Sequence, residues 1–213
     1  MNSNIQSENI YQSINTSILF AISKFNSIQL ERKLQLQKLS DYIQKKMNEQ
    51  NKVNLIFICT HNSRRSHFAQ IWAQTAAAYY NIPSINCYSG GTEVTAFNAN
   101  AVKALQAAGF IITHILETSN PHYEVKYSDT AVSIDAFSKK YSDDSNPANS
   151  FAAIMTCSHA DESCPNVVGA ESRFNINYED PKIADGRVDQ TLVYNERSMQ
   201  IATEMCYVFS LIN

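Results

Sequence analysis

Apolar and polar positions follow two different periods along this chain. From residue 53 onward, short apolar runs alternate with longer stretches in which apolar positions recur every three or four residues. Short apolar runs are typical of buried strands, and the longer repeat is typical of amphipathic helices. The alternating order of strand and helix predicts an α/β fold: a parallel, doubly wound sheet inside a three-layer α/β/α arrangement.

Four segments have the apolar composition of strands, namely 53–58, 85–88, 151–156 and 174–178. Helical patterns cover 66–80, 99–108 and 188–211, and Asn98 is a candidate N-cap for the second of them. Between residues 109 and 150 the pattern is weaker. Alternation over 122–127 and 131–137 predicts a hairpin there, as a flap near the site or as decoration of a sheet edge.

The first 50 residues carry a separate pair of helical patterns. The apolar positions that define them are Ile10, Ile14, Ile18 and Ile22, and then Leu36, Leu39, Ile43 and Met47. A break at 26–27 makes an αα-hairpin. We therefore divide the chain into a helical extension over residues 1–50 and a main domain over residues 51–213. The pair is expected to pack on that domain or on a second subunit, where it would mediate oligomerisation.

Composition excludes several classes of protein. The chain has 213 residues, 17 basic against 20 acidic, and a net charge of −3. That balance lacks the excess of basic residues that is typical of proteins binding nucleic acid or an anionic membrane. No apolar run approaches the ~18 residues of a membrane span, and the N-terminus lacks the features of a signal peptide. Five cysteines, an odd number, do not form a secreted disulfide framework. We expect a cytoplasmic protein.

Candidate chemistry is concentrated directly after the first predicted strand. The loop there consists of Cys59, Thr60, His61, Asn62, Ser63, Arg64, Arg65 and Ser66. Loop amides and the N-terminus of the next helix attract anions, and Arg65 adds a two-pronged contact to a tetrahedral oxyanion. The same positive surroundings favour a thiolate at Cys59, to which Ser66 can donate its hydroxyl. Asn62 tolerates a left-handed backbone and can tie the loop with its amide.

This loop resembles that of the low-molecular-weight protein tyrosine phosphatase superfamily, which includes the thioredoxin-coupled arsenate reductases. Their loop reads Cys-x5-Arg-Ser/Thr with an Asn three residues after the nucleophile, as Asn62 is here. The likeness runs from about residue 53 to the C-terminus, is interrupted at about 113–150, and leaves out residues 1–50. It implies that Cys59 is the nucleophile, that Arg65 clamps the oxyanion, and that Ser89 bonds to Asn62.

Asp180-Pro181 is the candidate general acid. It follows a strand predicted to be parallel to the first, so its loop should open at the same sheet edge as Cys59, and the proline restricts Asp180 to an extended conformation. The resemblance supports this role, because the superfamily carries an Asp-Pro late in the chain. Glu179 is the neighbouring carboxylate, and we rank it second.

Cys157 and Cys164 distinguish a reductase from a simple phosphatase. Their segment resembles that of the thioredoxin-coupled arsenate reductases, in which a second cysteine attacks the nucleophilic one and a third resolves the disulfide. Simple phosphatases need no such pair. Two alternatives stay open: a metal site with His159, whose spacing is not a usual zinc pattern, or two bystander thiols. Cys87 and Cys206 have the character of core residues.

Three departures from the superfamily pattern stand near the loop. His61 replaces a common glycine, Arg64 replaces a small residue, and Gln70 stands where reductases that bind potassium tend to have an acidic residue. We therefore expect neither a metal nor another resident cofactor.

The leading hypothesis is an arsenate reductase that uses a thioredoxin-type reductant. The alternative is a protein tyrosine phosphatase that acts through a phosphocysteine at Cys59. A third hypothesis, a non-catalytic phosphoprotein-binding module, is disfavoured by the intact set of Cys59, Arg65 and Asp180.

Overall fold

The protein is described from a computed structural model that covers residues 10–116, 118–163 and 166–213. Four parallel strands form its central sheet: β1 (Val53–Cys59), β2 (Ile85–Gly91), β6 (Phe151–Met155) and β7 (Ala170–Asn175). Their spatial order is β2-β1-β6-β7. The predicted parallel α/β sheet is confirmed, with the two central strands built from the most apolar runs.

The last strand lies earlier in the chain than expected. We predicted it at 174–178, but it spans Ala170–Asn175, where every side chain is exposed or half-buried. This strand pairs with β6 alone and is therefore an edge strand. An edge strand with partly exposed faces carries little apolar signal, so the apolar residues that follow it misled the prediction.

Helices cover both faces of the sheet unequally. On one face lie α3 (Arg65–Tyr79), α4 (Ala99–Ala107) and α6 (Gln190–Ser210), which share a large apolar core with β1 and β6. The opposite face is covered by a smaller cluster that includes Ala160 of the short helix α5 (Ser158–Ser163). The predicted cap is confirmed, since Asn98 accepts hydrogen bonds from the amides of Asn100 and Ala101. Among the described helices, none has the length and apolar character needed to span a bilayer.

The stretch between residues 109 and 150 contains a second sheet. The predicted hairpin is confirmed as β4 (His122–Lys126) and β5 (Ile134–Ala136), and β3 (Ile111–Leu116), which we did not predict, pairs with β4. The chain then returns to the edge of the main sheet, where the amide of Gly91 donates to the carbonyl of Lys139 at 2.8 Å. The inserted segment therefore decorates the β2 edge.

The N-terminal pair consists of α1 (Gln12–Ser23) and α2 (Leu30–Asn48), joined by a 3-10 turn at Phe25–Ser27. The predicted break at 26–27 is confirmed. Both helices contact α6, and their buried side chains belong to the same apolar core as the main sheet. The division of the chain at residue 50 stays a prediction, because the pair and the rest of the protein share one continuous core.

Candidate active site

The loop from Cys59 to Ser66 joins β1 to α3 at the C-terminal edge of the sheet, which is where ligands bind in such folds. Asn62 has φ +43°, the left-handed backbone that its residue type tolerates. Gly91 at the end of β2 passes close beneath the loop: a Cβ there would lie 2.7 Å from the carbonyl oxygen of Thr60 and 2.8 Å from the amide of Asn62. A side chain on the neighbouring strand would therefore displace the loop.

Hydrogen bonds within the loop orient one hydroxyl toward the candidate nucleophile. Ser66 Oγ lies 3.1 Å from Cys59 Sγ and accepts a 2.8 Å hydrogen bond from Nδ2 of the Asn62 side chain. Because the Ser66 oxygen accepts from Asn62, its own hydrogen is free to point at the sulfur, where it stabilises a thiolate. The side-chain oxygen Oδ1 of Asn62 accepts a 2.9 Å hydrogen bond from the backbone amide of Lys139, which links the loop to the inserted segment.

Ser89 has a different partner from the one the resemblance implied. Its hydroxyl lies 3.3 Å from Nδ1 of His67, whereas the amide group of Asn62 bonds to Ser66 and Lys139. His67 is fully buried on α3 and stacks on Phe97 with ring centroids 4.0 Å apart. Burial, followed by the charge of Lys139, lowers the pKa of His67 to about 3. Sequence reasoning missed both His67 and Lys139, since neither belongs to the motif.

Asp180 lies at the same sheet edge as the Cys59 loop, where it pairs with Arg65. The Arg65 Nη2 donates to Asp180 Oδ2 at 2.6 Å, and Nη1 donates to the carbonyl of Tyr178 at 3.2 Å. Asp180 has the extended backbone predicted from Pro181, and its second oxygen accepts from the amide of Lys182. Among the described residues, the buried Nε of Arg65 has no hydrogen-bond partner. An unpaired buried donor is costly, so this atom suits an anionic ligand.

Arg64 points into a separate network. Its Nε donates to the Tyr194 hydroxyl at 2.7 Å, and its Nη2 lies 3.3 Å from Asp185 Oδ2. Tyr194 donates in turn to Asp185 at 2.6 Å, and burial followed by this hydrogen bond raises the pKa of Tyr194 to about 12. Arg64 therefore ties the loop to α6.

The remaining loop residues are hydrogen-bonded to the segment after β2 and to the inserted segment. The Ser63 hydroxyl donates to the carbonyl of Ala96 at 2.6 Å, and the His61 carbonyl accepts from the hydroxyls of Thr95 and Ser138. The His61 ring is partly exposed and lies 3.4 Å from the Glu93 carboxylate. These hydrogen bonds hold the backbone of the loop in place.

Cys157 reaches the same edge through the register of β1 and β6. Its buried sulfur lies 3.4 Å from the Thr60 hydroxyl and accepts from the amide of Ala160, also at 3.4 Å. Thr60 additionally lies 3.3 Å from Nδ1 of His159. The Cys157 sulfur is held between a hydroxyl of the Cys59 loop and an amide of α5. Cys157 is therefore a second thiol beside the loop of Cys59.

Cys164, the third cysteine of the predicted relay, lies outside the described residues. Across the described ranges, no cluster of three or more His, Cys, Asp or Glu side chains has an arrangement that could hold a metal ion. Cys87 and Cys206 are buried away from the loop, and burial raises the pKa of Cys206 to about 12. Gln70 donates to the carbonyl of Cys87 at 3.1 Å.

No family model matches the chain. Among curated proteins, an arsenate reductase of Bacillus cereus is 32% identical over 133 residues, which is 62% of this chain and 79% of the relative. An arsenate reductase of Bacillus anthracis is 31% identical over the same shares of the two chains. This chain belongs to the arsenate reductase family.

The fold of this family member agrees with that assignment. A low-molecular-weight protein tyrosine phosphatase from T. tengcongensis superposes with a TM-score of 0.51 at 15% identity, over 75% of this chain and 99% of the other. A phosphatase of the same class from Vibrio cholerae O395 gives 0.50 at 14% identity, over 75% and 95%. The superfamily expected from the loop is confirmed, and the family is one of enzymes that use a cysteine nucleophile.

Proposed function

We propose that this protein reduces arsenate to arsenite through a relay of Cys59, Cys157 and Cys164. Family membership supports the substrate. The observation that carries the relay is the 3.4 Å contact between Cys157 Sγ and the hydroxyl of Thr60, the residue next to the nucleophile. Hydrolysis of a phosphate ester needs one thiol, whereas two-electron reduction of an oxyanion needs a second thiol within reach.

The first step is capture of arsenate by the loop. Backbone amides and Arg65 bind the oxyanion, and the unpaired Nε of Arg65 is the donor still available for it. The Cys59 thiolate, held by Ser66, attacks arsenic. A sulfur–arsenic bond forms, and one arsenate oxygen leaves as water after protonation. We assign delivery of that proton to Asp180, whose Oδ2 lies 2.6 Å from Nη2 of Arg65.

The second step transfers the electrons. The Cys157 thiolate attacks Cys59 Sγ, so that a disulfide forms while the sulfur–arsenic bond breaks. The electron pair of that bond stays with arsenic, which is reduced from the +5 to the +3 state and leaves as arsenite. The Ala160 amide and the Thr60 hydroxyl hold the attacking sulfur beside the loop of Cys59.

The third step restores Cys59. Cys164 attacks Cys157 Sγ, which releases the Cys59 thiolate and leaves a disulfide between Cys157 and Cys164. An external dithiol of the thioredoxin type reduces that disulfide and is itself oxidised. The reductant acts as a co-substrate, and the cycle suits a reducing compartment such as the cytoplasm.

The test is arsenate turnover coupled to thioredoxin, thioredoxin reductase and NADPH. Cys59→Ser and Cys157→Ser should each lose about 10³-fold or more of kcat/KM, because each removes an attacking sulfur. Cys164→Ser should complete a single turnover and then stop as a disulfide between Cys59 and Cys157, detectable by mass spectrometry. Cys206→Ala, which removes a buried thiol away from the loop, is the matched control and should retain activity.

Hydrolysis of an aryl phosphate is measured in parallel as the second candidate, favoured by the position of Asp180 beside Arg65. If Cys157→Ser retains full arsenate turnover, the relay is wrong. If the wild type hydrolyses aryl phosphate and does not reduce arsenate, the protein is a phosphatase. Activity of either kind in Cys59→Ser would overturn the site assignment itself.

A further inference from the structure

One side chain of the N-terminal pair reaches the active-site segment. Arg32 on α2 donates from Nη2 to the carbonyl of Asn177 at 3.1 Å, and its guanidinium lies 4.9 Å from the centre of the Tyr178 ring. Residues 1–50 form the segment that we expect to lie outside the sequence likeness to the superfamily. A residue of this additional segment therefore contacts the same stretch of chain that carries Asp180.

That stretch, residues 176–180, belongs to no strand but presents two groups to Arg65. These are the Tyr178 carbonyl, 3.2 Å from Nη1, and the Asp180 carboxylate, 2.6 Å from Nη2. On one side, the amides of Ile176 and Tyr178 donate to carbonyls of the β6 chain. On the other side lies Arg32. Segment 176–180 is therefore contacted from both sides.

Arg32 is itself held firmly. Its Nε and Nη2 donate to the same oxygen of Glu204 on α6, at 3.0 and 2.8 Å, and the Glu204 side chain is only 6% exposed. The remaining nitrogen, Nη1, donates to Gln35 on the same helix at 3.1 Å. A planar guanidinium with four directed hydrogen bonds has one orientation available, unlike a lysine ammonium on the same stem. Replacing a buried ion pair by apolar residues of similar size is often neutral for stability, so net stabilisation does not account for this pair.

We propose that Arg32 is a positioning residue for the oxyanion site: it fixes segment 176–180, and through Tyr178 and Asp180 it fixes Arg65. This role rests on the proposed function, because Arg65 is taken to bind the oxyanion. It gives the N-terminal pair a task in catalysis, namely to supply the outer support of the segment that presents Asp180.

The test compares two ion pairs that start from the same helix. R32M/E204Q removes both charges of the proposed support, so that no buried charge is left unpaired. The matched control is K46M/E171Q, which removes the 2.6 Å pair between the other end of α2 and the start of β7. Both variants weaken the attachment of α2, but only the first touches segment 176–180.

Two quantities are measured on the full chain: kcat and KM for arsenate, and the concentration of inorganic phosphate that protects Cys59 from iodoacetamide. Because small misplacements of a binding group are costly, R32M/E204Q should lower kcat/KM and weaken phosphate protection by about tenfold. K46M/E171Q should stay within about twofold of the wild type, because this pair joins α2 to β7 and leaves segment 176–180 untouched. Arg32→Lys keeps the charge without the fork and should fall between them.

Each outcome bears on a different claim. If R32M/E204Q behaves like K46M/E171Q, Arg32 does not position the site; if that variant does not fold, wild-type behaviour of Arg32→Lys overturns the proposal in its place. A wild type that neither reduces arsenate nor is protected by phosphate overturns the proposed function, and the Arg32 role with it. Phosphate protection without arsenate reduction overturns only the reductase assignment.

Discussion

Acid should destabilise this protein through one histidine of α3. His67 is fully buried and stacked on Phe97, with Nδ1 near the Ser89 hydroxyl. Burial is the largest cause, and the charge of Lys139 the second, of a pKa lowered to about 3 in the folded state. In the unfolded chain the same side chain should titrate near its ordinary pKa of about 6.5.

The sign and size of the effect follow from these two pKa values. Above pH 6.5 the His67 side chain is neutral in both the folded and the unfolded state, so it adds no pH dependence to the free energy of unfolding. Between pH 6.5 and 3 only the unfolded state binds the proton, so the free energy of unfolding falls as pH falls. At about 1.36 kcal/mol per unit, the loss at pH 5 is about 2 kcal/mol, and it approaches about 5 kcal/mol below pH 3.

Urea unfolding at pH 7.5 and pH 5.0 measures this loss. The wild type should lose about 2 kcal/mol more than His67→Gln between the two pH values, because the variant has no imidazole to protonate. His114→Gln, which removes an exposed histidine of β3, is the control and should keep the pH dependence of the wild type. If His67→Gln loses as much stability as the wild type, His67 is not the group responsible and the reasoning from its burial fails.

Two further predictions concern the nucleophile and the N-terminal pair. Ser66→Ala removes the hydroxyl 3.1 Å from Cys59 Sγ; a hydrogen bond to a charged group contributes about 1.5–3 kcal/mol, so alkylation of Cys59 at neutral pH should slow about tenfold. The control is Ser63→Ala in the same loop, and equal rates for the two variants would contradict the role of Ser66. Gly109→Ala adds a Cβ at φ +111° that would lie 2.5 Å from α1, and thermal unfolding should show a loss of about 1–3 kcal/mol. Gly186→Ala, at φ +78° with no heavy atom within 4 Å, carries the backbone strain alone; an equal loss there would show that α1 does not press on Gly109.

The sequence by itself determined the local features of this protein. A buried central strand needs a continuous apolar run, so β1 and β6 could be read directly from composition. The helix cap at Asn98 and the break at 26–27 depend on a few neighbouring residues and were equally accessible. The candidate loop was accessible for the same reason, because Cys59, Asn62, Arg65 and Ser66 lie within eight consecutive residues.

Only the tertiary structure decided which distant groups meet. The Ser89 hydroxyl faces His67, Arg64 bonds to Tyr194, and Arg32 pairs with Glu204 across 172 positions of sequence. Several polar side chains could have competed for each of these partners, and the choice depends on how the elements pack. Apolar periodicity reports which face of an element is buried, but it does not report what lies opposite that face. The contact of Cys157 with the nucleophile loop belongs to the same class, because it follows from the register of two strands about a hundred residues apart.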